Sequence, residues 1–418
     1  MRRLPALSII IAGCLFTAAG VPLPSDTLHG DYGKSPVISH LSLNLRGGYA
    51  MSSFRDDILE STLDVSQMRT THFARSIHLH YSFSFAPGSR GYRFFPGLYQ
   101  GAGISASAFG QHKRLGVPAG IYALQGAPVW NISSRLSLDY EWNFGVSTGW
   151  HKCDGETAKS NLIVGSMTNA CINLGALLTY RISDRLRLRG GLEFTHYSNG
   201  NTSYPNPGVN IVGARLGLVW DVSSRQEKRP GKPHEQDTAL FRRRHLISYD
   251  LTAYGAWRKR AYRGGETPVL LNGHFAVAGL RFAPMAEICR FFRAGLSADI
   301  QWDDSSDLKP HHLSGDTADD IRFSNPPFWH QVSWGVSANA ELSMPYFAVG
   351  VGMGINAICP EESRGTYQII NLKTFLTRSL ALNVGYQLRN FHSQSNLMLG
   401  LCYTFRSNRP PGFSLFGR

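Results

Sequence analysis

The residues best suited to chemistry lie in one short stretch, His196-Tyr197-Ser198-Asn199-Gly200, followed by Pro205-Asn206-Pro207-Gly208-Val209-Asn210. A serine hydroxyl within reach of an imidazole can be deprotonated and attack an acyl carbonyl. His196 and Ser198 are two apart, so on a β-strand they share one face, separated by about 6.5 to 7 Å of backbone rise. Their side chains can lean together into hydrogen-bond reach. Asn199 and the Gly200 amide come next and are candidate donors to the oxyanion. The same triplet also suits an ordinary strand end, with His, Ser and Asn at a polar–apolar boundary. The elements around it must decide.

Those elements alternate with a period of two. From Arg135 to Trp150 the even positions read Leu136, Leu138, Tyr140, Trp142, Phe144, Val146, Thr148 and Trp150, while the odd ones run through Asp139, Glu141 and Asn143. A strand this long, apolar on one side and charged on the other, suits a membrane barrel with lipid outside and a polar lumen. The alternative is an edge strand of a soluble sheet. The pattern predicts strands near 39–50, 73–86, 92–109, 119–130, 135–150, 171–182, 185–198 and 209–222. Connections at 86–90, 131–134 and 183–184 are short, whereas 51–72, 110–118 and 151–170 are long. Such barrels keep short turns in the periplasm and long loops outside. The connection between Ser198 and Val209 then faces out.

Residues 223–244 break the alternation with Arg225, Lys228, Arg229, Lys232 and Arg242-Arg243-Arg244, and read as a basic periplasmic linker. Strands then resume near 245–257, 271–284, 288–302, 328–342, 345–357, 366–376, 379–391 and 395–405, with short turns at 284–287, 344–345 and 378–379. The segment 365–405 repeats 170–220 in outline, down to Leu399-Gly400-Leu401 against Leu216-Gly217-Leu218. The expected fold is therefore all-β: an antiparallel transmembrane β-barrel, as two tandem eight-stranded barrels from an internal duplication. One larger barrel of about 12–16 strands is the alternative. The domains would be a barrel at 36–222, the linker at 223–244, a second barrel at 245–407 and a tail at 408–418. Asp139, Glu141, Arg187, Arg189 and Glu193 would fill a small lumen with ion pairs.

Parity places the chemistry. Leu186, Leu188, Leu192 and Phe194 share the even face with His196 and Ser198, and Asn210 shares its face with Val212, Leu216 and Trp220. The three polar residues should project from the outer surface at the extracellular end. Polar groups facing lipid are costly and call for a function. An ester within a lipid of the outer leaflet is a fitting target.

Composition and the chain's start agree with export. Met1-Arg2-Arg3, the apolar run from Ala6 to Ala19 and the small Ala18-Ala19-Gly20 form a signal peptide over 1–20, although Ile11-Ala12-Gly13-Cys14 also resembles a lipoprotein box. The net charge of +13 points to an anionic partner such as nucleic acid, a membrane surface or lipopolysaccharide phosphates. Export and alternation leave no basic groove with interleaved aromatics, which argues against nucleic acid. Cys153, Cys171, Cys289, Cys359 and Cys402 lack the spacing of a zinc site, and a Cys153–Cys171 disulfide stands level with two free thiols. No metal or cofactor is expected.

The segment His196-x-Ser198-Asn199 with Pro205-Asn206-x-Gly208 resembles the active site of PagL-type lipid A 3-O-deacylases, over roughly residues 90–222. The resemblance implies an outer-membrane barrel with an exterior Ser-His-acid triad. It implies His196 as base, Ser198 as nucleophile, and Asn199 with Gly200 at the oxyanion hole. It implies hydrolysis of an ester-linked, 3-O acyl chain of lipid A. The family's third member is a glutamate, and Asn210 stands at its place. Asparagine can orient an imidazole but cannot stabilise imidazolium by charge. In the second half, His196 aligns with Asn390 and Ser198 with His392, and the Ser393-Gln394 turn is too short for the Pro-Gly loop, so that half should be silent. His112-Lys113-Arg114 and Arg258-Lys259-Arg260 would lie near lipid A phosphates or serve as solvated loop charges. The partner expected is lipopolysaccharide in the outer leaflet, with a homodimer left open. The rival reading is a non-catalytic outer-membrane scaffold or pore.

Overall fold

The computed structural model describes residues 36–52, 72–110, 115–152, 164–203, 208–223, 247–259, 261–262, 269–270, 273–289, 292–312, 321–324, 326–344, 346–360, 363–377, 379–391 and 393–406. The expected signal peptide, nearly all of the expected basic linker, the tail, Cys153 and Pro205 to Pro207 lie outside them. Two closed antiparallel barrels account for all but four of the strands described. The first runs through β1 (Val37–Ser52), β2 (Phe73–Phe85), β3 (Tyr99–Phe109), β4 (Gly116–Asn131), β5 (Leu136–Trp150), β6 (Thr168–Arg181), β7 (Leu186–Ser198) and β8 (Val209–Asp221), each paired with its neighbour and β8 with β1.

Alternation becomes inside and outside. Leu43, Leu45, Ile77, Leu79, Leu174, Leu192, Leu216 and Trp220 are exposed, with Leu192 at 70%. An apolar belt of that extent has no place in water and marks the lipid-facing side of a membrane barrel. The lumen is filled by charge. Glu141 takes Arg215 Nη1 at 2.6 Å and Arg189 Nη1 at 3.1 Å, and accepts from the Tyr99 hydroxyl at 3.0 Å. Arg46 lies 3.4 Å from Glu193, and Thr179 donates to Asp139 at 2.6 Å. At the long-loop end the lumen is capped by an apolar cluster in which Phe109 packs tilted on Trp150 and Trp150 meets Tyr197 edge-on, with centroids 5.2 and 5.0 Å apart.

Two expectations change here. Trp150 does not continue the outward face but is buried in that cap, its Nε1 donating to Ser147 Oγ at 2.8 Å. Gly149, at φ +97°, supplies the left-handed step that breaks the alternation. The third strand begins at Tyr99 instead of 92, because a short helix α1 (Arg90–Phe94), N-capped by Ser89 Oγ accepting from Tyr92 N at 3.2 Å, occupies the connection. Pro96 then lacks a ladder donor, and Gly97 turns at φ +71°.

The second barrel is closed by β9 (Ile247–Arg258), β12 (Phe275–Cys289), β13 (Phe292–Asp303), β16 (Val332–Ser343), β17 (Phe347–Ile358), β18 (Thr366–Phe375), β19 (Leu380–Arg389) and β20 (Ser393–Arg406). Two small hairpins, β10 (Ala261–Tyr262) with β11 (Val269–Leu270) and β14 (Lys309–His312) with β15 (Ile321–Ser324), stand in its long connections. Its lumen holds Lys373 Nζ between Asp250 and Glu341 at 2.7 Å each, with Arg293 bonded to both acids. The turn expected at 284–287 lies inside β12, where Pro284 faces Tyr249 of β9 and the ladder to β13 skips the proline. The turn expected at Ser393-Gln394 is likewise the start of β20; the reversal falls on Asn390 and Phe391, both at positive φ. Both barrels close on a glycine of the last strand. Gly217 of β8 faces Asn44 of β1, and Gly400 of β20 faces Tyr254 of β9, where an added Cβ would meet the neighbouring strand within 2.2 Å and 1.9 Å.

Candidate active site

The site grows from the β7–β8 ladder. His196 lies directly opposite Asn210, and Tyr197 opposite Val209. On the other flank, His196 faces Ile172 and Ser198 faces Ala170 of β6. Opposed residues on one side of a sheet hold their Cβ atoms about 4.5–5.5 Å apart, near enough for short polar side chains to bond. His196 Nδ1 and Asn210 Oδ1 are 2.6 Å apart. An amide oxygen only accepts, so Nδ1 carries the proton and donates it. The lone pair of the neutral ring is thereby left on Nε2, the form a general base requires.

Tyr197, between the two polar residues, points the other way and is buried against Trp150. The strand end is thus anchored from behind by the apolar cap. Beyond Ser198 the chain turns sharply through Gly200 and Asn201, at φ +65° and +66°, a conformation glycine and asparagine accept most readily. It re-enters β8 through Gly208, at φ +76°. A Cβ there would lie 2.7 Å from the Tyr197 carbonyl oxygen and 3.0 Å from His196 Cε1. Glycine therefore serves both the backbone turn and the approach of the imidazole. Phe194, Val212, Leu192, Leu174 and Ile172 form an exposed apolar apron below the site. His196 and Asn210 are half-buried, while Ser198 and Asn199 are only 8% and 7% exposed. The outward register is as parity predicts, but the strand end is more covered than an open lipid-facing surface.

The register brings His196, Ser198 and Asn210 to one side of one hairpin, with Asn199 and Gly200 next in the chain. Tyr197 and Gly208 acquire roles that residue type alone did not assign. A positive φ and a ring packed on glycine have no signature beyond the glycine itself. Of the basic loop residues, His112, Lys113, Arg114 and Arg260 lie outside the described residues. Arg258 is a correction: it is buried, paired with Asp303 and bonded to Ser305 at 2.8 Å, and so serves its own barrel and not a headgroup. Cys171 is a buried, free thiol in the cap.

A lipid-belted barrel with a plugged polar lumen, and a His/Ser/Asn cluster on the outward side at its long-loop end, defines a class: outer-membrane β-barrels with a filled lumen. Residues 142–219 match the family model described as lipid A 3-O-deacylase (PagL), and residues 247–408 match acyloxyacyl hydrolase, C-terminal domain. Between them the two models take in more than half of the chain, and it belongs to the PagL family of lipid A deacylases, hydrolases of the outer membrane that act on lipopolysaccharide. No curated protein matches it. Among solved structures, Neisserial surface protein A is 11% identical, with 44% of this chain and 96% of that one covered at a TM-score of 0.29. The siderophore receptor PirA from Pseudomonas aeruginosa is 9% identical, with 88% and 80% covered at 0.25. Both likenesses are too slight to bear on the site.

Proposed function

We propose that the first barrel removes the 3-O-linked acyl chain of lipid A by serine catalysis on its outer surface. Ser198 Oγ attacks the acyl carbonyl while His196 Nε2 takes its proton. The tetrahedral intermediate is held by Asn199 and the Gly200 amide. It collapses by breaking the bond to the sugar oxygen, which leaves with the proton from His196. Water, activated by the same imidazole, then attacks the acyl-serine and frees the fatty acid. Asn210 holds the ring in the required tautomer. The observation that carries this reading is the 2.6 Å contact between His196 Nδ1 and Asn210 Oδ1 on the outward side of the ladder. The apolar apron below supplies a bed for the acyl chains.

A pore is disfavoured, because buried ion pairs cross the lumen of each barrel. The test is mass spectrometry of lipid A from cells expressing the chain beside Ser198→Ala and His196→Ala. Loss of one hydroxyacyl mass with the unaltered chain only is expected. Intact lipid A around a folded barrel would leave the scaffold reading in its place.

A further inference from the structure

The outward faces of the sixteen barrel strands are almost free of charge. Among the described residues of those strands, Arg75 is the one ionised side chain that points to lipid: on β2 it follows Phe73 and precedes Ile77 and Leu79, all exposed on the same face. The other arginines of the first barrel's strands that carry ion pairs, Arg46, Arg187, Arg189 and Arg215, turn inward to carboxylates. Among the described residues of the barrel strands, no carboxylate shares the outward side with Arg75. An unpaired cation facing lipid is costly at mid-depth and is tolerated near the interface, where it can reach an anion.

Position and neighbours say which anion. Arg75 is the third residue from the end of β2 that joins the β1–β2 connection, and His196 is the third from the end of β7 that joins the β7–β8 connection. In an up-and-down barrel these two connections lie at the same end, so Arg75 stands at the depth of the outer-leaflet headgroups. It is flanked across the ladder by Gly47 on β1 and Ala108 on β3, which leave a shelf beside the guanidinium. Above the shelf, Tyr49 stacks on His72 with ring centroids 4.8 Å apart, and Phe73 lies opposite Tyr49. A guanidinium with planar donors, an open shelf and aromatic rings at interface height suits a sugar phosphate rooted in the membrane. β2 lies three strands around the ring of eight from β7, so the lipid that Arg75 holds is not the one whose ester reaches Ser198.

We infer that Arg75 is a binding site for the phosphate of a second, non-substrate lipopolysaccharide molecule, which anchors the barrel in the outer leaflet. This holds whether or not Ser198 is the nucleophile. The test uses the full chain in the Ser198→Ala background, so that no lipid is consumed. Bisphosphorylated lipid A, its dephosphorylated form and inorganic phosphate are each titrated into detergent-folded protein, and bound lipid is counted by native mass spectrometry. The outward site should take lipid A, with about tenfold weaker binding for the dephosphorylated lipid, for Arg75→Gln or for both, and smaller loss for Arg75→Lys. Inorganic phosphate alone should not compete at millimolar concentration. Arg75→Leu should fold with equal or higher thermal stability, because it removes a lipid-facing charge. Equal lipid A binding by Arg75→Gln and its parent would overturn the proposal, as would competition by free phosphate. In the chain with Ser198 intact, Arg75→Gln should deacylate detergent-dispersed lipid A within about twofold of the unaltered rate. A large fall there would place Arg75 at the substrate and also overturn it.

Discussion

The β7–β8 and β19–β20 hairpins hold the same place in their barrels, next to the closing seam, yet they end differently. β19 stops at Arg389 and reverses through Asn390 and Phe391 at positive φ, with the Asn390 side chain accepting from Thr366 N at 3.1 Å. β7 continues through His196 to Ser198, and a longer connection returns it to Asn210 opposite His196. Below these ends the two barrels follow one plan, with an apolar exterior, a buried ionic plug and a seam glycine. The barrel is thus a common scaffold, and the candidate chemistry belongs to the last turn of one hairpin.

The sharpest way to break the comparison is to remove the pair itself. Ser198→Ala or His196→Ala should lower deacylation at least about a thousandfold, because a nucleophile and its base act as a unit. Asn390→Ala, at the aligned place in the second barrel, should leave lipid A turnover unchanged in the same mass-spectrometric assay. Activity lost equally from both ends would mean that the second hairpin shares in catalysis.

Next in size come the plugs, where the barrels should behave alike. Glu141→Ala leaves Arg215 and Arg189 with only longer contacts to Glu193 and Asp139, and Glu341→Ala leaves Lys373 and Arg293 to share Asp250 alone. Leaving a buried charge unpaired costs about 3–5 kcal/mol, which is the upper bound here because each cation keeps a second carboxylate, and the loss is read in urea unfolding followed by heat-modifiable mobility. If one barrel proves indifferent, the plugs are not equivalent and the common plan fails there.

A smaller effect should come from the asparagine that stands in place of an acid. Asn210→Ala frees the ring and should lower the rate about tenfold, in keeping with one orienting hydrogen bond of about 1.4 kcal/mol. Asn210→Glu should instead match or exceed the unaltered rate, since a carboxylate orients the imidazole and also stabilises its charged form. A glutamate variant as slow as alanine would show that Asn210 is there for shape, not for the hydrogen bond.

Much of this was legible in the residues because membrane barrels write their faces in alternate letters. Both barrels, the lumen pairs and the outward parity of His196, Ser198 and Asn210 follow from that period. What was not legible is what breaks it. Gly149 flips Trp150 inward, and α1 with Pro96-Gly97 delays β3 to Tyr99. Pro284 reads as a turn but lies in β12 at a point the ladder to β13 skips. The small hairpins at Ala261–Leu270 and Lys309–Ser324 read as plain loops, since two- and four-residue strands carry too few alternations to register. The His196–Asn210 contact needed cross-strand register, which parity alone does not give.

The finest comparison sets two glycines side by side. Gly208 and Gly365 each introduce a strand at the long-loop end of its barrel, at φ +76° and +115°. A Cβ on Gly365 would press on Asn390 Oδ1 at 2.6 Å, a side chain in a turn, whereas one on Gly208 would press on His196 Cε1 and the Tyr197 carbonyl. Alanine at either position is strained by about 1–2 kcal/mol of backbone energy, so stability should fall by a similar small amount in both variants. Only Gly208→Ala should slow deacylation, by several-fold, because only there does the displaced atom belong to the base. The readout is the ratio of the two rates at matched stability. A ratio near one would trace the loss to barrel distortion in general, and the idea that Gly208 shapes the imidazole's position would be given up.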